Sequence, residues 1–296
     1  MNHKLSSDFS LVPLSGGRFS VRSEVHQETF HPQVGAQEEA RCVYFRPMHL
    51  RQRLLNATES LCVWDVGLGG AGNALNLIRD HQDLNARVEL HSFERCLKPL
   101  EFALHHAAKL DYLHGFESFL DQLIKAQRVT FKSGQLELDW HLHMCDLRDG
   151  YGPLSGKLRS ADAIMYDPYS PAKNPELWSL PAFNRLREAL TTPATLATYS
   201  RSTSVRVGLL LAGFYVGRGG EVGEKEETTV AATDPGLVGP LLEEQWLKKI
   251  RNSTNGEPIR QVPHTRSFLT AETWDRLLRH PQFSSLAVDL ELPVRH

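Results

Sequence analysis

The run from Trp64 to Asn73, WDVGLGGAGN, constrains this chain more than any other. Leu61 to Val66 is short, apolar and followed at once by glycines, the pattern of a buried parallel strand feeding a helix. Gly67, Gly69 and Gly72 form GxGxxG at that junction, where the missing side chains allow a tight turn and close approach of backbone to a ligand. Taken alone, the glycines fit either a nucleotide-like ligand or a crowded strand-to-helix turn with no ligand.

The rest of the chain repeats the alternation. A helix is expected over 73–79 and a second strand over 87–93, ending on Glu94, which completes a βαβ unit. Helical spacing recurs over 98–110 and 116–126, and VTFKSGQLELDWHLHMCD then alternates strictly, as a hairpin turning at Lys132-Ser133-Gly134 would. Strands are expected over 163–166 and 194–198, helices over 177–190 and 205–212, and a final antiparallel hairpin from 214–216 and 227–232. These elements predict an α/β, Rossmann-like fold, a mostly parallel seven-stranded sheet with helices on both faces and an antiparallel C-terminal hairpin strand; the acids and motifs that follow make the expected variant the class I methyltransferase fold. Residues 57–233 would form that domain. Residues 1–56 read as an irregular or β-rich lead-in partly packed on it, and 234–296 as a helical extension carrying Trp246 and Trp274.

Three acids narrow the ligand. Glu94, at the end of the second strand, is placed to accept hydrogen bonds from both ribose hydroxyls. Asp65 directly precedes the glycines and disfavours a pyrophosphate at the helix N-terminus, which counts against a dinucleotide. Asp146 follows another strand. Methyltransferases commonly place acids at these points to face the methionine amino end and the adenine amino group, so the expected cofactor is S-adenosylmethionine, held by Asp65, Gly67, Gly69, Gly72, Asn73, Glu94 and Asp146. Asp65 as a turn cap and Asp146 as an ordinary loop acid are the alternatives.

Asp167 to Trp178, DPYSPAKNPELW, follows the strand AIMY and lies at the carboxyl end of the sheet. Its three prolines make it stiff enough to position an acid and an aromatic ring. WDVGLGGAGNALNLI, LHSFE, CDLRD, this segment and LATYSRSTSVRVGLLLAGFYV together resemble the MnmC-type tRNA methyltransferase domain, over about residues 28 to 233 and including GAQEEA at 35–40. That family methylates an aminomethyl uridine at the wobble position to complete 5-methylaminomethyl-2-thiouridine. The resemblance implies that Asp167 faces the substrate amine, Glu94 holds the ribose and Asp146 contacts adenine. Tyr169 joins Asp167 as a candidate catalytic residue, stacking on the pyrimidine or packing near the sulfonium. Pro171, Lys173, Asn174 and Trp178 are candidate substrate contacts, with core packing the alternative for Tyr169 and Trp178.

Two positions depart from the family: Asp167-Pro168-Tyr169 replaces Asp-Gly-Phe, and Lys225-Glu226-Glu227 replaces Lys-Arg-Glu near the last hairpin. The first echoes the DPPY loop of enzymes that methylate exocyclic amines. No second dinucleotide fingerprint follows, so a stand-alone methyltransferase is expected, dependent on another protein, or another route, for its aminated substrate. A same-fold methyltransferase acting on a small-molecule or protein amine, and a non-catalytic cofactor-binding module, are the competing functions.

The formal net charge of −2 carries no signature of nucleic-acid binding. Residues 141–220 nevertheless hold nine Lys/Arg against six Asp/Glu, including Arg148, Lys157, Arg159, Lys173, Arg201, Arg206 and Arg218, so a basic face for tRNA is compatible with the sequence. No DNA or membrane partner is expected, the oligomeric state is open, and the absence of a signal-like apolar run places the chain in the cytoplasm. Four scattered cysteines read as reduced thiols. His141 and His143 share a strand face, yet no third ligand is evident in the sequence, so no metal is expected.

Overall fold

The computed structural model describes residues 8–151, 158–221 and 227–284. Eleven strands are found there: β1 (Phe9–Pro13), β2 (Phe19–Ser23), β3 (Glu28–Thr29), β4 (Leu61–Val66), β5 (Arg87–Glu94), β6 (Arg128–Ser133), β7 (Leu136–Met144), β8 (Ala163–Tyr166), β9 (Thr195–Thr198), β10 (Tyr215–Arg218) and β11 (Thr229–Ala232). The α-helices are α1 (Ala36–Ala40), α2 (Leu50–Asn56), α3 (Gly72–His81), α4 (Lys98–His105), α5 (Glu117–Ala126), α6 (Leu180–Glu188), α7 (Thr203–Leu211), α8 (Glu244–Ile250) and α9 (Ala271–Leu278).

The main sheet has the order β10-β11-β9-β8-β4-β5-β7-β6. Its five central strands, β9-β8-β4-β5-β7, are parallel, and both edges end in antiparallel hairpins. Eight strands rather than the expected seven result because β6, the first arm of the 128–144 hairpin, pairs with β7 and becomes an edge strand. The expected C-terminal hairpin is also present, with β11 antiparallel to both β9 and β10.

Strand alternation divides the interior into two layers. Leu61 and Val63 of β4 enter one apolar cluster with Leu75, Leu77 and Ile78 of α3. Cys62, Trp64 and Val66 enter the other with Phe183, Leu209 and Leu210. Trp246 of α8 and Trp274 of α9 are buried in that second cluster, which explains why a polar C-terminal segment carries two large indoles. The helix expected from Leu177 starts instead at Leu180, because the Ser179 hydroxyl caps it by accepting from the Ala182 N–H at 3.3 Å.

The lead-in is not irregular. β1, β2 and β3 form a separate antiparallel sheet, and the chain then passes through α1 into a π-helical turn over Arg41–Phe45 before α2. In that turn the Arg46 N–H donates to the Arg41 C=O at 2.9 Å, five residues back.

Candidate active site

The chain leaves β4 toward β5 on one side and later returns to β8 on the other, so the direction of winding reverses between β4 and β8. Crevices at such reversals, at the carboxyl ends of the strands, are where open α/β sheets bind ligands. The Asp167 N–H donates to the Val66 C=O at 2.9 Å, tying the two strand ends together. A cavity of about 1050 Å³ opens over them. That is at the upper limit of the roughly 300–1,000 Å³ typical of one small-molecule cleft, which leaves room for a cofactor and part of an acceptor.

Gly67, Gly69, Gly70 and Gly72 line this cavity. Gly67 has φ of +91°, and a Cβ there would lie 2.7 Å from the Asp167 carbonyl oxygen, so both conformation and space demand glycine. A Cβ on Gly72 would run into the imidazole of His31, a lead-in residue that is buried against the start of α3. Burial lowers the His31 pKa to about 4, which keeps that ring neutral.

Glu94 lies on the cavity wall and is held by backbone. Its Oε2 accepts from the Gly69 N–H at 3.1 Å, and its Oε1 from the N–H groups of Arg95 (2.8 Å) and Cys96 (3.0 Å). Remaining lone pairs are available to a ligand hydroxyl. Asp146 is also on the wall, where Arg148 donates to it from both backbone N–H (3.0 Å) and Nε (2.9 Å) and holds its carboxyl below the usual range.

Asp65 is placed differently from expectation. It is 1% exposed and lies beneath the loop rather than among the residues lining the cavity. The Ser92 hydroxyl donates to its Oδ2 at 2.8 Å, while Oδ1 is buried with no hydrogen-bond partner. Burial pushes its carboxyl up to about 7, opposed by the Ser92 hydroxyl and reinforced by the charges of Asp167 and Glu94.

Asp167 faces the cavity, and Asn73, expected as a cofactor ligand, donates from Nδ2 to Asp167 Oδ2 at 2.7 Å. Asn73 itself lines the cavity, so it stands between the glycine loop and the acid. Tyr169 is on the wall too, with its ring against His26 (centroids 4.0 Å apart) and edge-on to Phe30 (6.0 Å). Of the four candidate substrate contacts, only Asn174 lines the cavity; Pro171 and Lys173 lie on the same loop off its wall. Trp178 requires a correction, because it is 1% exposed and its indole N–H donates to the Tyr169 C=O at 2.7 Å. It buttresses the loop from inside and offers substrate no surface.

Sequence reading missed the opposite wall. Residues of the lead-in sheet and its connecting loops, among them Phe9, Leu14, His26, Glu28, Phe30 and His31, close the cavity, and Glu39 of α1 adds another acid. Glu28 accepts from the Ser170 N–H at 3.1 Å and from the Ser170 hydroxyl, joining lead-in to loop. The only hint in the sequence was GAQEEA, whose second glutamate is Glu39. Six acids (Asp8, Glu28, Glu39, Glu94, Asp146, Asp167) line the cavity against three strong bases (Arg95, Lys98, Arg148). Lys98 pairs with Asp8 at 2.9 Å, and Arg148 and Arg95 attend Asp146. At the Asp167 end, burial and then the charges of Asp167, Glu28 and Glu39 hold the Tyr199 phenol well above 10. The cavity therefore favours a cationic guest there.

Two expectations outside the cavity change. A third imidazole does join His141 and His143: the His91 ring stacks near both, and its Nδ1 lies 2.8 Å from His143 Nε2. Cys62, Glu89 and His91 bring ligand atoms within 4.8 Å of one another, but His91 Nε2 is hydrogen-bonded to Glu89 at 2.9 Å and the Arg159 guanidinium reaches Glu89 at 3.2 Å. A guanidinium at that point neutralises the carboxylate a metal would need. The proposed basic face is thinner than the counts imply. Arg206 is 2% exposed and bonded to Glu227, Thr229 and the Thr228 C=O, and Arg159 is paired with Glu89 and Asp162. Lys157, Lys225 and Glu226 lie outside the described residues. Among the described residues, no helix is long and apolar enough to cross a membrane.

Comparison with known proteins agrees with this geometry. Residues 109–234 match a family described as S-adenosyl-L-methionine-dependent methyltransferase. The tRNA 5-methylaminomethyl-2-thiouridine biosynthesis bifunctional protein MnmC of Ralstonia nicotianae is 30% identical over 241 residues, covering 75% of this chain and 34% of that protein. Its namesake in Leptospira interrogans is 25% identical over 233 residues, covering 74% and 35%. The chain thus spans about a third of the length of the curated relatives it matches. The crystal structure of MNMC2 from Aquifex aeolicus aligns with a TM-score of 0.66 and 25% identity, over 91% of this chain and 84% of that one.

The cofactor of this family is S-adenosylmethionine, and the residues present suit it. The glycine cradle leaves space that a Cβ would fill, and Glu94 is fixed where a ribose would need an acceptor.

Proposed function

Because the chain belongs to the S-adenosyl-L-methionine-dependent methyltransferases, we propose that it is an N-methyltransferase acting in the cytoplasm on the aminomethyl group of wobble uridine, 5-aminomethyl-2-thiouridine, in tRNA. The observation that carries this reading is the acidic end of the cavity, where Asp167 stands one hydrogen bond from Asn73 and hence beside the glycine loop. Bound S-adenosylmethionine supplies the electrophilic methyl group. The acceptor nitrogen must be neutral when it attacks, yet an aminomethyl group is largely protonated in water. Asp167 accepts hydrogen bonds from that ammonium, aligns it and takes up the proton it sheds. A carboxylate alone would favour the charged amine, and the desolvation imposed by the lead-in wall opposes this. Tyr169, tilted against His26 at the same wall, offers an aromatic surface to the flat base.

Mass spectrometry of tRNA nucleosides from a deletion strain tests the proposal. Accumulation of the unmethylated amine is expected, and an unchanged nucleoside profile removes it. A small-molecule or protein amine as acceptor is the second reading, favoured by the internal pairing of Arg159 and Arg206 and by Asp-Pro-Tyr at 167–169. Salt-insensitive or absent binding of bulk tRNA would select it.

A further inference from the structure

We infer that Tyr44 and Asn73 are positioning residues that clamp the Asp167 carboxylate from two sides, so that it meets the acceptor amine as a fixed anion. The inference rests on the reading of Asp167 as the acid that faces the acceptor. Asn73 Nδ2 donates to Asp167 Oδ2 at 2.7 Å, and the buried Tyr44 phenol lies close enough to the same carboxyl group to feel its charge. Tyr44 is 1% exposed and Asn73 8% exposed, so neither side chain is open to bulk water. Both partners are obligate donors here. An amide N–H cannot ionise, and burial followed by the charges of Asp167 and Glu39 holds the phenol well above 10.

The two donors come from elements that are themselves tied together, Arg41 of the turn pairing with Asp80 of α3 and Phe45 packing edge-on against His81. Asn73 is the second residue of α3, immediately after the glycines, so the loop that receives the cofactor also sets the acid. Tyr44 comes from the π-helical turn Arg41–Phe45, a costly backbone form found preferentially at functional sites. Two charge-assisted donors occupy part of a carboxylate's roughly four acceptor positions and leave the remainder for the amine. A carboxylate fixed this way pre-orients its partner and does not need to reorganise during transfer. The arrangement also gives Asn73 a role distinct from direct contact with the cofactor.

The test uses the full chain with Tyr44→Phe, Asn73→Ala and Asp167→Asn. The phenylalanine variant keeps the buried ring and removes only the hydroxyl, so it leaves packing intact. Three quantities are read: S-adenosylhomocysteine affinity by calorimetry, methyl transfer to tRNA from the deletion strain as a function of pH, and titration of the Asp167 carboxyl by carbon NMR in aspartate-labelled protein. Loss of one donor should raise the Asp167 midpoint by about one pH unit and carry the acid limb of kcat upward with it. The plateau kcat should fall about tenfold with KM for tRNA nearly unchanged. S-adenosylhomocysteine affinity should stay within about threefold.

An unmoved Asp167 titration in Tyr44→Phe and Asn73→Ala overturns the inference, whatever the acceptor proves to be. An Asn73→Ala protein that loses more than about tenfold in S-adenosylhomocysteine affinity with an unshifted titration makes Asn73 a cofactor ligand, and that also overturns it. Full activity in Asp167→Asn removes the underlying reading of Asp167, while the NMR titration still reports separately on the clamp.

Discussion

Glu28 and Ser170, 142 positions apart, are joined by two hydrogen bonds, from the serine N–H at 3.1 Å and from its hydroxyl. Through this pair the lead-in sheet grips the loop three residues beyond Asp167. Glu28→Ala should therefore leave S-adenosylhomocysteine binding near normal while raising the acceptor KM or lowering kcat by roughly tenfold. Global stability should drop by only about 1–2 kcal/mol. Steady-state kinetics beside a urea melt check both halves. An affinity loss for the cofactor alone would contradict the assignment.

Gly67→Ala should be far more harmful than Gly115→Ala, although both glycines have positive φ. At Gly67 the new methyl meets the Asp167 carbonyl oxygen at 2.7 Å and its carbon at 3.0 Å, both backbone atoms that cannot swing aside, whereas nothing lies within 4 Å at Gly115. We expect Gly115→Ala to cost about 1 kcal/mol from backbone strain alone. Gly67→Ala should cost about 2–4 kcal/mol and weaken S-adenosylhomocysteine binding by more than about tenfold. Thermal melts and calorimetry on the two variants decide it.

Asp65 predicts a pH dependence of the free protein. Its folded pKa, raised by burial to about 7, exceeds its ordinary 3.8. Between those values the native state keeps a proton that the unfolded chain releases, so stability falls as pH rises through the window and levels off above about 7. Asp65→Asn removes this contribution. The stability of wild type relative to Asp65→Asn should decline between about pH 4 and pH 7 by a few kcal/mol, as urea unfolding at pH 5, 6 and 8 would show. A constant difference would mean that Asp65 is ionised throughout.

Arg206 and Glu227 should respond unequally to truncation. The guanidinium is 3% exposed and the carboxylate 30%, with 2.8 Å between them. Glu227→Ala strands a buried cation and should cost about 3 kcal/mol. Arg206→Met leaves a carboxylate that water and nearby Arg218 can still reach, and replaces buried charge with apolar volume, so its cost should be about 1 kcal/mol or less. Denaturant midpoints of the two variants provide the comparison.

Much of the main sheet was legible because its strands are short apolar runs bounded by glycine, proline or polar clusters, and Asp167 and Glu94 sit at strand ends that those runs define. The lead-in was not legible. Its strands are brief, two to five residues each, and Glu28 and His31 acquire meaning only from Ser170 and Gly72, partners that local periodicity cannot reveal. Arg206 was miscounted as surface for a related reason: charge composition is blind to burial, and the helix carrying it is apolar around most of its circumference. Trp178 was misassigned because a loop indole reads alike whether it faces a cavity or the core. Asn73 directly follows the glycines in sequence, but its hydrogen bond to Asp167 depends on a strand reached 94 residues later.

The placement of β11 between β9 and β10 has a consequence for synthesis. β9 and β10 emerge from the ribosome before the strand that must fit between them, so the nascent chain carries two open edges until residue 232 is free. Unpaired edges invite pairing with foreign chains. Substitutions that slow or weaken β11 should therefore show up first as lower soluble yield, well before they alter turnover by the molecules that do mature.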